Sequence, residues 1–440
     1  MIRGFELRHS AFPPPARKDD TEIQTRACLC RLRPRTLHYT IPPAAKMSRS
    51  FALRPTSVTP LSHSGIGVAG FYSMHLLGIA LPLTAGLLLY GWRALIVVAS
   101  VLASTLAAVA IWRRIGTRGH QLRYSHAAWL ATLLAMMLPA HLATSIPDSR
   151  GEVTWMVLPA AGVSLALIMW LIGGLGAGRI HPSVVALLLL GALFGDMLAP
   201  RYVLHRDHVF FGDLLKASAP DQRVDRGDSW ITRKSGGEFD AERAAPAANA
   251  LIQYTTGRER PAHGWLPIQG LLRDSMPPLE DLIIGGNPGP IGISSRLTVI
   301  VGGLFLLYRG LIDIRIPLII CLVEFAILLI LPVPTVIANR AQWRWIALRD
   351  PTVGFATAIT FANYELMASP MLFMAFFIAT SPSVRPMARR ARAVYAAVIG
   401  LLCAAAQLYF SVDYGPYVAL LIASLLTPTL DWLFRPRPLL

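Results

Sequence analysis

From residue 71 onward the chain is a succession of apolar runs separated by short polar breaks. Each run approaches the about 20 residues that carry an α-helix across the about 30 Å hydrocarbon layer of a bilayer. In lipid a single segment satisfies its own backbone only as a helix, so the pattern predicts spanning helices. Five runs fall in the first half, at about 71–91, 94–112, 125–145, 153–173 and 183–199. A polar segment occupies about 200–294, and five more runs follow near 296–312, 316–337, 352–380, 393–410 and 415–434. The 352–380 run exceeds one straight span and is interrupted by Asn363, Glu365 and Pro370, so a broken or re-entrant element is expected there.

The predicted fold class is therefore an all-α integral membrane protein of about ten transmembrane helices. Residues 71–199 and 295–438 form two sets of five, oppositely directed because the count is odd, with 200–294 as a polar external loop between them. Short internal matches point to an inverted 5+5 repeat. The first run ends Gly86-Leu87-Leu88-Leu89-Tyr90 before Arg93, and the sixth ends Gly303-Leu304-Phe305-Leu306-Leu307-Tyr308 before Arg309. His181-Pro182-Ser183-Val184 and Ser381-Pro382-Ser383-Val384 are read as a second matched pair, each opening a helix. The alternative is ten spans whose resemblance is fortuitous.

Residues 1–70 are rich in Pro, Arg and Ser without a sustained apolar period, which predicts a disordered basic tail. Met47-Ser48-Arg49-Ser50 reads like an ordinary start, so residues 1–46 are open to being an upstream extension.

Composition supports the membrane reading. Apolar side chains make up 54% of the 440 residues and charged ones 15%, with a mean hydropathy of +0.50, which argues against a water-soluble globule. The net charge of +16 is mostly topological. The tail holds 11 basic and 4 acidic residues, and Arg113, Arg114, Arg118, Arg123, Arg385, Arg389, Arg390 and Arg392 fill two loops on the same side. By the positive-inside bias both termini are cytoplasmic, in the cell's inner (plasma) membrane, and 200–294, with 11 basic and 12 acidic residues, is external. One loop, 339–350, dissents, with Arg340, Arg344 and Arg349 against Asp350. Basic residues that flank apolar runs give no reason to expect a nucleic-acid partner; the lipid bilayer is the expected one.

The candidate chemistry is sparse. Cys28 and Cys30 sit in the tail and Cys321 and Cys403 in separate apolar runs, so neither a disulfide framework nor a metal site is expected. No phosphate-binding loop, HExxH or GxSxG occurs, and no catalytic residue is assigned. Gly173-Gly174-Leu175-Gly176-Ala177-Gly178 with Pro182 reads as a helix break. Ionisable residues inside spans are functional hypotheses by default. Glu324 lies mid-run and has two readings, a proton or cation carrier or a protonated packing residue. Asp196, Glu365, His75, His126 and His141 lie nearer ends or interruptions. The run Gly285-Gly286-Asn287-Pro288-Gly289-Pro290-Ile291-Gly292-Ile293-Ser294-Ser295 precedes the sixth span. Its glycines allow backbone N–H groups to approach an anion, and Ser294 or Ser295 is placed to cap the helix; a plain connection is the alternative.

Taken together these segments resemble the D subunit of the Rnf electron-transport complex and its relative, the B subunit of the sodium-pumping NADH:quinone oxidoreductase. The resemblance covers most of residues 75–438. It rests on Leu88-Leu89-Tyr90-Gly91-Trp92-Arg93-Ala94-Leu95, Leu130-Ala131-Thr132-Leu133-Leu134 with Leu138-Pro139, and Gly173-Gly174-Leu175-Gly176 with Pro182. The glycine run from Gly285 to Gly292, Phe376-Phe377-Ile378-Ala379-Thr380-Ser381-Pro382 and Leu426-Thr427-Pro428-Thr429-Leu430-Asp431 complete it. The resemblance implies a ten-helix inverted repeat within a multi-subunit complex that passes electrons through flavin, FMN or riboflavin, while moving Na⁺ or H⁺. The glycine run itself makes Gly285, Gly286, Gly289, Gly292 and Ser294 candidates for cofactor binding, and Glu324 and Glu365, by their place inside apolar runs, join Ser381 and His181 as candidates for an ion pathway.

Two departures accompany it. The family's Ser-Gly-Ala-Thr motif for covalent FMN is absent. Asp240-Ala241-Glu242-Arg243-Ala244-Ala245-Pro246 stands in its place, with Thr255 and Thr256 the nearest hydroxyls. The family's Asp before proline is Ser381, and its Asn before the first-half proline is His181. A second functional class therefore stays open: a divergent non-redox relative acting as a structural membrane subunit or channel-like permease.

Overall fold

The computed structural model describes residues 67–115, 123–143, 154–172, 178–198, 279–285, 289–337, 340–344 and 354–434, with the single positions 251 and 272. All lie within one compact unit, Ser64–Leu440. The tail, most of the external segment with Thr255 and Thr256, Gly286, the 173–177 glycine cluster and the side chain of Asp196 fall outside the described residues.

Helix α1 (Val68–Tyr90) ends at Gly91, whose φ of 61° lies in the left-handed region that glycine alone enters at little cost. α2 (Trp92–Ile115) starts at once and places Arg113 and Arg114 in its last turn, where the exposed carbonyls favour cations. α3 (Tyr124–Met136) stops before Leu138-Pro139 and continues as a 3₁₀ turn, Ala140–Ala143, because a residue before proline is disfavoured in the α conformation. α4 (Val157–Ile172) and α5 (Pro182–Leu198) follow; α5 begins on a proline, whose missing N–H needs no partner there, and is kinked at Phe194.

The second half comprises a short α6 (Leu279–Ile284), α7 (Arg296–Tyr308), α8 (Arg315–Ile330), α9 (Phe355–Ala368), α10 (Met371–Ile378), α11 (Arg389–Tyr409) and α12 (Gly415–Leu433). α1, α2, α11 and α12 are each long and apolar enough to cross a bilayer, and α9 with α10 qualifies as a bent pair.

The all-α expectation needs one correction. The run expected to be helical over 316–337 leaves the helix after Ile330 and enters a hairpin of β1 (Val333–Ile337) with β2 (Arg340–Arg344), antiparallel with Val333 opposite Arg344 and Ile337 opposite Arg340. Pro332 and Pro334 remove two helix donors, and the β-branched Val333, Thr335, Val336 and Ile337 suit a strand.

The long 352–380 run is broken, with α9 and α10 bent by 62°. The break falls at Ser369-Pro370; Asn363 and Glu365 lie within α9. α10 finishes as a π-helical turn, Met374–Ile378, a rare form that is frequent at functional sites.

Helix packing runs in the same order in both halves. α2 packs on α4 as α8 packs on α11, and α4 meets α5 as α11 meets α12. α1 contacts α3 and α7 contacts α10, while α1 and α7 pack on each other. The core holds Ile79, Trp129, Leu130, Leu133, Met136, Phe373, Phe377 and Tyr395, all essentially inaccessible.

Candidate functional site

α8 and α11 approach closely: a Cβ on Gly400 would lie 2.8 Å from the Ile320 carbonyl oxygen. This contact buries Glu324 completely, against the last full turn of α11. There the Gln407 amide nitrogen donates to Glu324 Oε1 at 2.8 Å and to Ser369 Oγ at 2.9 Å. Ser369 sits at the α9–α10 break; its hydroxyl donates to the Leu366 carbonyl at 3.3 Å and accepts the Met371 N–H at 3.3 Å. Glu365, one turn earlier on α9, is also fully buried and lies within electrostatic reach of Glu324. Glu324 Oε2, Gln407 Oε1 and both Glu365 oxygens have no hydrogen-bond partner.

Arg296, the first residue of α7, is buried beside this cluster and donates to the carbonyls of Ala368 at 3.1 Å and Ser294 at 3.2 Å. Its guanidinium ties the start of α7 to the carbonyl end of α9, where a cation is favourable. Glu324 and Glu365 thus lie within electrostatic reach of each other, and the Glu324–Gln407–Ser369 set forms a polar focus with unpaired oxygens inside an apolar helix bundle. Such a focus can hold a proton or small cation, because each unpaired oxygen otherwise costs about 1–3 kcal/mol.

Ser381 and His181 belong to another place. The two X-Pro-Ser-Val segments have the same turn: the His181 carbonyl accepts from Val184 and Val185, and the Ser381 carbonyl accepts from Val384 and Arg385. They are not equivalent positions of a repeat, which corrects the matched-pair reading. His181 precedes the fifth helix of its half, whereas Ser381 precedes α11, the fourth of its half when α9 and α10 count as one. Asp431 instead connects the two segments. It pairs with Arg179 at 3.1 Å and accepts the Met387 N–H at 2.8 Å. The shared motif is therefore a shared local turn at segments bound to one carboxylate.

Around His181 lies an aromatic cluster. Trp129 is 5.6 Å from His181, 6.0 Å from His126, 5.8 Å from His75 and 5.1 Å from Tyr72, centroid to centroid. Both ring nitrogens of His181 and Nδ1 of His126 lack partners. His75 Nδ1 contacts the Phe71 carbonyl at 2.9 Å and His141 Nε2 that of Met197 at 2.8 Å, the roles of interhelical or local polar ties. Among the described residues no three His, Cys, Asp or Glu side chains converge as a metal site requires.

From Gly289 to Ile293 the described backbone amides of the glycine run are hydrogen-bonded within the protein. Gly289 N–H donates to the Tyr90 hydroxyl, Ile291 N–H to Leu138 O, Gly292 N–H to Met136 O at 2.8 Å and Ile293 N–H to Pro290 O. Tyr90 donates in turn to Gly289 O at 3.0 Å and accepts from Ser294 Oγ at 2.7 Å. Ser294 is therefore bound to Tyr90, and Ser295, at the cap position of α7, makes no side-chain cap bond. The run locks the end of α1 and the break after α3 against α7. A Cβ on Gly292 would lie 2.6 Å from Met136, and Gly285 adopts φ +122°. The glycines serve close packing, and the described part of the run does not fit a flavin phosphate.

Sequence reasoning missed Gln407, Ser369, Arg296 and Tyr90. A search for ionisable residues inside runs passes over a neutral amide and a hydroxyl. Arg296 stands at a run's edge, where arginine is ordinary.

A family model described as "NQR2, RnfD, RnfE family" matches residues 55–439. The chain is 27% identical over 361 residues to the D subunit of an ion-translocating oxidoreductase complex of Halorhodospira halophila, covering 81% of this chain and 88% of that protein. It is 27% identical over 364 residues to the protein of the same name in Aeromonas hydrophila, covering 79% and 87%. Over 165 residues it is 27% identical to the D subunit of a Na(+)-translocating ferredoxin:NAD(+) oxidoreductase complex of Acetobacterium woodii, covering 37% and 43%.

Proposed function

The chain belongs to the NQR2, RnfD, RnfE family, and from that premise we propose that this multi-pass membrane protein is the D-type subunit of an ion-translocating, flavin-dependent electron-transport complex. Similarity along most of the chain to proteins named as such subunits carries the reading. The buried Glu324–Gln407–Ser369 cluster with Glu365 supports an ion step, since membrane-buried carboxylates mark ion pathways. The matched helix packing of the two halves supports the ten-helix inverted repeat. Arginine placement supports the inner membrane with cytoplasmic termini. The partners are the complex's other subunits.

Flavin enters from the family resemblance alone, and on this reading Thr255 or Thr256, the nearest hydroxyls to the place of the absent motif, would carry it if the attachment is covalent. The absent Ser-Gly-Ala-Thr motif favours the second reading, a non-redox relative that serves as a structural subunit or channel-like permease.

The test is purification from native membranes with whatever subunits accompany the chain, followed by a visible spectrum and a denaturing gel under ultraviolet light. The redox reading expects flavin absorbance in the complex, and covalent flavin would give a fluorescent band removed by Thr255→Val with Thr256→Val. A colourless preparation with no redox partner would overturn it in favour of the second reading.

A further inference from the structure

Gln407 connects a buried carboxyl to a broken helix. Its terminal amide carries two donors on one side and an acceptor on the other, and a half-turn about the last torsion exchanges them. With Nε2 inward, as here, the amide donates to Glu324 Oε1 and to Ser369 Oγ, which suits an ionised Glu324. With Oε1 inward, the same position accepts the O–H of a protonated Glu324 and the O–H of Ser369. Glu324 Oε1 then keeps its hydrogen bond to Gln407 in both protonation states at the same spacing.

The two states differ at Ser369. Its single hydroxyl hydrogen points to the Leu366 carbonyl at 3.3 Å in the first and to Gln407 in the second. Leu366 lies in the last turn of α9, and Ser369 also accepts the first N–H of α10. The hydroxyl therefore changes partners at the 62° bend.

The remaining groups near Glu324 do not substitute for this partnership. Its own helix contributes Cys321, whose Sγ lies 3.9 Å from Met371 Sδ, and α11 contributes Cys403. α9 contributes Glu365, a second carboxyl without a donor. The Arg296 guanidinium is bound to two carbonyls, those of Ala368 and Ser294. The sulfur atoms of Cys321, Met371 and Cys403 take up part of the surroundings that a small hard cation such as Na⁺ would fill with oxygens, whereas a proton needs only the hydrogen-bonded set.

We propose that Glu324, Gln407 and Ser369 form a proton relay: a proton bound at Glu324 Oε1 turns the Gln407 amide over and draws the Ser369 hydroxyl off α9. The proposal rests on the ion-translocating reading for its place in the protein's work and narrows the ion at this site to H⁺. Glu324 takes and returns the proton, Gln407 and Ser369 are positioning residues, and no electron or co-reactant is required.

Infrared difference spectroscopy of the full-length chain with its copurifying subunits, stepped in pH without any electron donor, tests this. The expected signal is the C=O stretch of an un-ionised carboxyl, shifted in D₂O and lost in Glu324→Gln, together with a primary-amide change lost in Gln407→Leu. Hydrogen bonds to charged groups exceed those to neutral ones, so Gln407→Leu raises the titration midpoint by about one pH unit or more. Ser369→Ala, which removes a neutral partner, moves it less.

Circular dichroism identifies any variant that fails to fold; the amide change in the unsubstituted protein then decides alone. A carboxyl band that survives Glu324→Gln, or a carboxyl titration without an amide change, overturns the relay. A band that responds to NaCl and not to pH overturns the proton assignment in favour of sodium. Donor-driven transport that fails while these signals persist would contradict the electron-transport reading and leave the relay standing.

Discussion

Tyr90 ties three groups together through one hydroxyl, because it bonds both backbone groups of Gly289 and the side chain of Ser294. Tyr90→Phe removes the partner of both Gly289 backbone groups, while Ser294 keeps its bond to the Pro290 carbonyl at 2.9 Å, and is expected to destabilise the protein by about 1 kcal/mol, read as a lower thermal midpoint in detergent. Gly292→Val is expected to act at the same lock, since its branched side chain would enter space that Met136 fills; overpacking of this kind costs about 1–3 kcal/mol. A melting point unchanged by either substitution would show that the lock does not hold the halves. The sequence made Glu324 legible because an acid in the middle of an apolar run is costly. It did not make Tyr90 legible, because a tyrosine at a helix end also fits the ordinary aromatic belt at a membrane surface. Gln407 stayed hidden for the related reason that an uncharged amide barely disturbs a hydropathy profile, although its two hydrogen bonds define the site.

Between α7 and α8, Asp313 pairs with Arg392 of α11 at 3.2 Å and accepts the Arg315 N–H at 3.2 Å. Partial burial alone would raise its carboxyl, but the Arg315 N–H and the Arg392 guanidinium outweigh burial and hold it below the ordinary value of 3.8. A depressed carboxyl contributes stability above that value and loses it as pH falls through the lower folded one. Asp313→Asn is therefore expected to lower stability by at most about 1 kcal/mol near neutral pH, and to match the parent once pH is well below 3.8. A difference between the two that persists in acid would assign the loss to packing. Most helices were legible as elements from apolar length, and the break in the long run from Pro370. The hairpin after α8 was not, because Pro332 to Ile337 is as apolar as the helix it follows, and only the prolines and β-branched residues mark the change of period. The paired X-Pro-Ser-Val segments misled for the opposite reason: identical local turns suggested equivalent positions, whereas element order places them in different steps of the two halves.

At the scale of the molecule, the basic excess concentrated in the tail and two loops predicts which ends face the cytoplasm, and among the described residues apolar length marks four helices and one bent pair as able to cross a bilayer. Membership of the family came from the order of many weak segments, no one of which specifies a function. The match to the family model begins at residue 55, so deletion of residues 2–46 is expected to leave the thermal midpoint and the set of copurifying subunits unchanged. Loss of partners on that deletion would give the tail an assembly role. On the proposed reading, this chain conducts ions for an electron-transport complex through Glu324. The most direct test is donor-driven ion uptake by the purified complex in sealed vesicles, comparing the parent with Glu324→Gln while electron flow is followed in the same sample. Uptake is expected in the parent and its loss in Glu324→Gln, with the complex still assembled. Equal uptake by both, or no donor-driven uptake by an intact parent complex, would contradict it.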